Sequence, residues 1–244
     1  MDSPGSISRV DARRFPNLKR VSRPATLAEA SAILADPARR AVLVSGGISF
    51  IFAHQPAVEE IVLLRGLPLS FVRPRDGGLA LGPATLVSEL LESPAARGYA
   101  GGILGEACRR IGSTLNRNLI TVGGNLLRPF VWSDLPTVML ALGASFRFAG
   151  GRERELGASE LFSRPPLDLL APGEILAEIL LPALSAPEGE EPRTAYRKFT
   201  LTENDFALLK LAVVLRRRGR LCREIRLAAG GGPILPQRLA RAEA

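Results

Sequence analysis

Residues 111–136, "IGSTLNRNLITVGGNLLRPFVWSDLP", set two adjacent glycines and an asparagine beside small hydroxyl residues, then run into Ser133-Asp134-Leu135-Pro136. A simple turn needs one glycine. A glycine pair after Thr121 brings bare backbone close to something, because glycine carries no Cβ and tolerates positive φ. A second pair lies upstream in "LVSGGISF", residues 43–50, directly after an apolar run.

Working outward, the chain reads as mixed elements. "NLKRVS" is a first short strand. Thr26 and Glu29 stand at capping-box spacing and open the helix "LAEASAILAD", which closes near Pro37. "AVLVS" (41–45) and "EIVLL" (60–64) read as strands, and "LSFVRPRDGGLALG" as a hairpin turning at Asp76-Gly77. "TLVSELLES" and "YAGGILGEACRRIG" read as helices, the second weakened by its glycines. "TVGGNL" is placed a few residues ahead of a helix, "DLPTVMLALG", with Asp134 at its N-cap and Pro136 in its first turn. A strand at "SFRFAG", a turn at Gly150-Gly151, a short helix at "ASELF" and a buried strand at 174–182 follow. Residues 183–194, rich in Pro and acidic residues, read as an exposed loop or linker. Beyond them two long strands joined at Gly219 are expected, too few to bury a sheet alone and so docked on the preceding domain or truncated. Hairpins interspersed with helices favour an α+β fold over a doubly wound one.

Composition narrows the function. Two cysteines far apart, Cys108 and Cys222, are too few for a disulfide framework, an iron–sulfur cluster or a cysteine-built zinc site. No apolar run reaches transmembrane length, and the N-terminus has no signal-peptide core. The reading is a soluble cytoplasmic protein with a flexible tail over residues 1–14. The net charge of +8 comes almost wholly from arginine, since Lys19, Lys198 and Lys210 are the only lysines. The basic residues are scattered and aromatics are scarce, which argues against nucleic acid and leaves an acidic protein partner open.

The usual dinucleotide and P-loop fingerprints are absent. The single histidine, His54, has no G-x-S-x-G partner motif and reads as a surface or loop residue. No cluster has metal-ligand spacing. What remains is the two glycine loops. Each can be an ordinary turn. Two in one domain can instead clamp a diphosphate, because successive backbone N–H groups form an anion nest and Ser45, Ser49 and Thr121 add hydroxyls. Asp134 can cap its helix or accept from sugar hydroxyls. Lys198 can be an exposed strand residue or a cation beside a flavin ring.

In order along the chain, these pieces resemble a known family. "LVSGGISF" is similar to its first phosphate loop, A-G-G-T-D-L. "IGSTLNRNLITVGGNL" is similar to its second signature, I-G-S-x-x-x-R-N-x-x-T-I-G-G-N. "SDLPTVMLALGA", "LAPGEILAEILLP" and "YRKFTLTENDFALLKLAVVL" fall at the expected later positions. The family is the FAD-binding medium subunit of molybdenum hydroxylases, such as aerobic carbon monoxide dehydrogenase and xanthine dehydrogenase. The resemblance runs from about Phe15 over nearly the whole chain. Three departures stand out: Ile48 where the first loop usually has Thr, "LRPFVW" where an Ala-Ser-Pro run is usual, and a C-terminal part in which the family's final helix and strand have no counterpart after "GGGPILPQRLARAEA".

The resemblance implies a two-lobed FAD-binding domain over 15–182 (lobes at about 15–65 and 66–182). A linker at 183–193 and a small, shortened C-terminal α+β domain at 194–244 would follow. It implies FAD as cofactor, with Val44, Ser45, Gly46, Gly47, Ile48, Ser49 and Phe50 and then Thr121, Gly123, Gly124 and Asn125 along the diphosphate. Ser133 and Asp134 would meet the ribityl or ribose side, Ile175 and Leu176 would pack near the isoalloxazine, and Lys198 would approach its polar edge. No residue of this chain is expected to be catalytic, and no metal is expected. The implied partners are a molybdopterin-binding large subunit and an iron–sulfur small subunit, from which electrons pass through FAD to an external acceptor. Two alternatives stand beside this reading: a non-catalytic scaffold that has lost FAD, and a stand-alone flavin oxidase.

Overall fold

Strands of three to eleven residues, none able to bury a face alone, assemble here into three separate sheets. The chain is described by a computed structural model over residues 15–51, 55–129, 133–202, 205–232 and 234–244. The expected tail, the histidine at 54 and residues 130–132 of the "LRPFVW" run lie outside the described residues.

The first sheet holds β1 (Arg20–Ser22), β2 (Ala41–Val44) and β3 (Glu60–Leu63), all parallel in the order β1-β3-β2. Parallel strands need crossovers, and α1 (Leu27–Ala35) lies on the one from β1 to β2, the two strands that flank β3. Its start is the expected capping arrangement: the Glu29 N–H donates to Thr26 Oγ1, and Glu29 Oε2 accepts from the Ala25 N–H. On the central strand, buried Glu60 accepts two bonds of 2.7 Å from the Arg39 guanidinium and another from the Ser22 hydroxyl. Burial alone would raise its pKa, but those donors hold it below the usual carboxylate range. A short helix, α2 (Ile48–Ile51), follows β2.

The second sheet is antiparallel, in the order β4-β5-β8-β6-β7. It is built from β4 (Val72–Arg75), β5 (Gly78–Leu81), β6 (Ser145–Ala149), β7 (Arg154–Gly157) and β8 (Ile175–Leu181). The β4–β5 hairpin turns as expected at Asp76 and Gly77, both at positive φ. β7 was not expected, because "RELG" buries only Leu156 and shows no alternation. Against this sheet pack α3 (Val87–Glu92), α4 (Pro94–Gly98), α5 (Ile103–Arg109), α7 (Val122–Leu127), α8 (Leu135–Leu142) and α9 (Ala158–Leu161), while α6 (Thr114–Arg117) buries none of its residues. The helix expected from Tyr99 onward is broken. Ala100, Gly101 and Gly102 all take positive φ, and α5 starts only at Ile103. "TVGGNL" is not a loop ahead of a helix but is itself α7, with Thr121 as its N-cap.

The third sheet is antiparallel, in the order β12-β11-β10-β9. Its strands are β9 (Glu191–Phe199), β10 (Leu209–Arg218), β11 (Leu221–Gly231) and β12 (Ile234–Arg238), followed by α10 (Ala240–Glu243). The turn at Gly219 is where it was expected, but there are four strands rather than two. β9 begins at Glu191, inside the stretch expected as a linker. Docking on the preceding elements solves the burial problem. α8 is apolar except for Thr137, and every one of its residues is buried. Ala212, Val214 and Ala228 of the third sheet join α8 in one core. Arg226 donates to the Leu142 carbonyl at 3.1 Å, and the Tyr196 N–H donates to Glu106 at 3.1 Å.

Candidate functional site

The chain leaves β2 through Ser45-Gly46-Gly47 and enters α2. Gly47 sits at φ +83, where a side chain would be strained. Gly46 is needed for another reason: a Cβ there would lie 1.8 Å from the Leu119 carbonyl oxygen. The first glycine segment therefore lies directly on the chain leading into the second. Phe50 stacks on Phe15 at 4.4 Å between ring centroids and anchors the far end of that segment.

The second segment is fixed from behind. The Val87 N–H donates to the Ile120 carbonyl, Val122 donates to Thr85, and Gly123 donates to Pro83, all within 2.8–2.9 Å. A Cβ on Gly123 would meet Pro83 at 2.7 Å. Thr121 Oγ1 accepts from the Gly124 N–H at 3.2 Å and caps α7. Asn125 reaches across, its Oδ1 accepting from the Leu135 N–H at 3.2 Å. That bond does the job expected of Asp134, whose own side chain caps nothing and whose backbone is already helical.

Between the two segments lies a cavity of about 350 Å³. It is lined by Val44, Ser45, Gly46, Gly47, Ile48, Ser49 and Phe50 on one side. Thr121, Gly123, Gly124, Asn125 and Ser133 line the other, and Ile175 and Leu176 of β8 lie among the remaining lining residues. Every expected site residue is thus brought to one place except Asp134 and Lys198. The charged lining residues are Arg128 and Glu174. Glu174 is fully engaged: Arg154 donates to both its oxygens at 2.8 Å, and the Ala171 N–H donates at 2.7 Å. This binds the turn that leads into β8.

Asp134 and Lys198 form a buried cluster behind the wall. Asp134 is fully buried and accepts from the Tyr196 hydroxyl and, at 3.3 Å, from Lys198 Nζ. Lys198 also donates to the Arg110 carbonyl at 2.9 Å. Its side chain is 6% exposed, so it is not the exposed strand residue that its sequence setting allowed. Lys210 donates to the carbonyl of cavity-lining Ser133 at 2.7 Å. Burial raises the Asp134 pKa even though Lys198 and Lys210 pull it down. Burial also pushes Lys210 down to about 8, against the pull of Asp134. Burial and the adjacent Asp134 charge hold the Tyr196 phenol well above its ordinary value.

Sequence reasoning missed Tyr196, Lys210, Glu174 and Arg128. Lys210 had left a signal, a lone charge inside the apolar run "ALLKLAVV". Tyr196 left none.

Residues 15–184 match the family described as the FAD binding domain in molybdopterin dehydrogenase. The chain belongs to that family. It is 30% identical over 214 residues to the carbon monoxide dehydrogenase medium chain of Hydrogenophaga pseudoflava, covering 84% of this chain and 71% of that one. It is 28% identical over 229 residues to the nicotine 6-hydroxylase medium subunit of Paenarthrobacter nicotinovorans, covering 92% and 78%. Carbon monoxide dehydrogenase from Oligotropha carboxidovorans superposes with a TM-score of 0.83 at 26% identity, over 93% of this chain and 79% of that one. These relatives are subunits of oxidoreductases, and the cofactor named for the family is FAD. The cavity suits such a dinucleotide: glycine backbone on both walls, the hydroxyls of Ser45, Ser49 and Thr121 beside the two glycine segments, and apolar β8 residues for a flat ring. Among the described residues, no helix is long and apolar enough to cross a membrane.

Proposed function

We propose that this chain is the electron-transfer subunit of a molybdenum hydroxylase. It would take electrons from the iron–sulfur clusters of a small subunit and pass them through FAD to an external acceptor. Substrate would be oxidised on a molybdopterin-binding large subunit. The single observation behind this reading is the convergence of two glycine segments on one cavity, with Gly46 seated against the Leu119 carbonyl. The relatives' names, "medium chain" and "medium subunit", support larger and smaller companions.

FAD, when bound, supplies the redox chemistry, and the protein supplies binding, orientation and electrostatics. Val44 to Phe50 and Thr121 to Asn125 would hold the diphosphate. Ser133 would meet the sugar side, with Asp134 and Lys198 acting from behind that wall. Ile175 and Leu176 would pack against the ring and exclude water from it. We also propose the division into lobes at about 15–65 and 66–182 as the two jaws of the site, with 183–193 leading to a C-terminal unit at 194–244 that braces the second jaw.

The test has two stages. Titration of the purified chain with FAD should quench flavin fluorescence at one equivalent. A folded chain that takes up no FAD would favour the scaffold alternative. In the complex purified with its companions, substrate should bleach the flavin band only when the iron–sulfur subunit is present. Bleaching by substrate with this chain alone would favour the stand-alone oxidase.

A further inference from the structure

The cavity carries one charge that no described residue balances. Arg128 directly follows α7, is partly buried and lines the cavity. Its guanidinium has no hydrogen-bond or ion-pair partner among the described residues. The other charged lining residue, Glu174, is consumed by Arg154. An anion entering the cavity could therefore take up the Arg128 N–H groups without displacing a bond they make to the described residues. Across the cavity, Ile48 contributes no donor side chain, so that wall offers an anion only backbone amides and the hydroxyls of Ser45 and Ser49.

We infer that Arg128 is a cofactor-binding cation, its planar N–H fork pairing with an anionic oxygen of the flavin dinucleotide. This rests on the reading of the cavity as the FAD site. The dinucleotide carries such oxygens in two places: on the diphosphate in every redox state, and on the ring only when it is reduced. Arg128 stands at the far end of α7 from Thr121, a rise of about 9 Å for six residues, so its long side chain can serve either. The chemistry is the same: a guanidinium meeting oxygen anions in bidentate geometry.

The experiment uses the full chain carrying Arg128→Gln or Arg128→Lys. Each variant is titrated with FAD and with ADP, which has the diphosphate and no flavin ring, and the midpoint potential of the bound flavin is measured. If the diphosphate is the partner, Arg128→Gln weakens FAD and ADP alike by tenfold or more and flattens the salt dependence of binding. Arg128→Lys restores part of the loss, and the potential stays put. If the reduced ring is the partner, oxidised FAD and ADP bind as before. The potential then falls, because reduced FAD is held at least tenfold less tightly relative to oxidised FAD. Wild-type FAD binding with neither affinity nor potential moved in Arg128→Gln overturns the assignment and leaves the FAD site standing. A wild-type chain that binds no FAD removes both. Unfolding of the cofactor-free variants separates binding from folding. Matching midpoints are expected, and a loss of stability as large as the loss of affinity would mark a structural role and overturn the proposal.

Discussion

The two walls of the cavity carry the same dipeptide, Gly-Gly, for different physical reasons. In the first wall Gly47 supplies a positive φ, and Gly46 lets the loop rest on the Leu119 carbonyl. In the second wall Gly123 and Gly124 lie inside a helix. There Gly123 serves packing against Pro83, and Gly124 sits under the Thr121 hydroxyl. The first wall is a loop leaning on its neighbour. The second is tied by backbone bonds to residues 83–87 and, through Ser133 and Asp134, to the third sheet. A ligand clamped between them would therefore meet one fixed jaw and one that depends on it.

The largest effect should come where the two walls touch. In Gly46→Ala the obstructing atom is a backbone oxygen that no side-chain rotation can clear, so the walls must part. We expect a loss of about 3 kcal/mol or more in urea unfolding, at the upper end for overpacking, with FAD affinity falling further. A loss under about 1 kcal/mol would mean that the first wall yields freely, and the comparison would break. Next comes the anchor of the second wall. Asp134→Asn leaves Lys198 and Lys210 buried without their counter-charge, at a cost of about 3 kcal/mol. Adding Lys210→Met should recover part of that loss. Strict additivity of the two changes would show that the charges act independently.

A smaller effect should appear with pH. Lys210 falls from an ordinary 10.5 to about 8 in the folded chain. Between those values the unfolded chain binds the proton and the folded chain does not. Stability then rises with pH across that window, by up to about 1 kcal/mol per unit. Asp134 acts oppositely at lower pH: its folded pKa is raised, so its contribution falls as pH climbs through the ordinary carboxylate range toward the raised value. Buried Cys108, whose thiol burial pushes up to about 12, pulls stability down above its ordinary value of 9.0, so the Lys210 effect is read as a difference. From pH 8 to pH 10 the unfolding midpoint of the wild type should climb relative to that of Lys210→Met. A constant difference would place Lys210 in a solvated setting and weaken the view of the second wall as electrostatically anchored.

How much of this was legible in the residues depends on whether the signal was local. The capping of α1 by Thr26, the Asp76-Gly77 hairpin and the strand ending at Val44 are set by neighbours in sequence and could be read there. From the residues alone the two glycine segments could be turns or a clamp; their convergence on one cavity was expected through the resemblance of both motifs to one family's, not through their conformations. "TVGGNL" misled because two glycines lower helix propensity, while the Thr121 cap and the bonds to Thr85 and Pro83 outweigh that cost. Asp134 misled in the opposite way. Asp before Leu-Pro is a strong cap signal, yet Asn125 caps the helix, and the carboxylate is drawn to Tyr196 and Lys198, more than sixty residues later in the chain. No short-range pattern encodes such a partner. The four-stranded third sheet was half legible: Gly219 marks its central hairpin, but no Gly or Pro stands between the end of β9 at Phe199 and the start of β10 at Leu209.

The finest test of the contrast is Gly124→Ala, where two effects of similar size oppose one another. Alanine within a helix gains about 1 kcal/mol over glycine. The new Cβ would lie 2.9 Å from Thr121 Oγ1, and displacing that hydroxyl forfeits a cap worth about 1 kcal/mol. The obstacle is a rotatable side chain rather than backbone, so the wall itself need not move. We expect stability within about 0.5 kcal/mol of wild type, measured by thermal and urea unfolding of the cofactor-free chain. FAD affinity should nonetheless drop, because Gly124 lines the cavity and the displaced Thr121 hydroxyl is one of its donors. A fall in stability matching that of Gly46→Ala would show that both glycine pairs are held by backbone crowding. Unchanged stability with weakened FAD would show that the second wall keeps its glycine for the ligand, while the first keeps Gly46 for the fold.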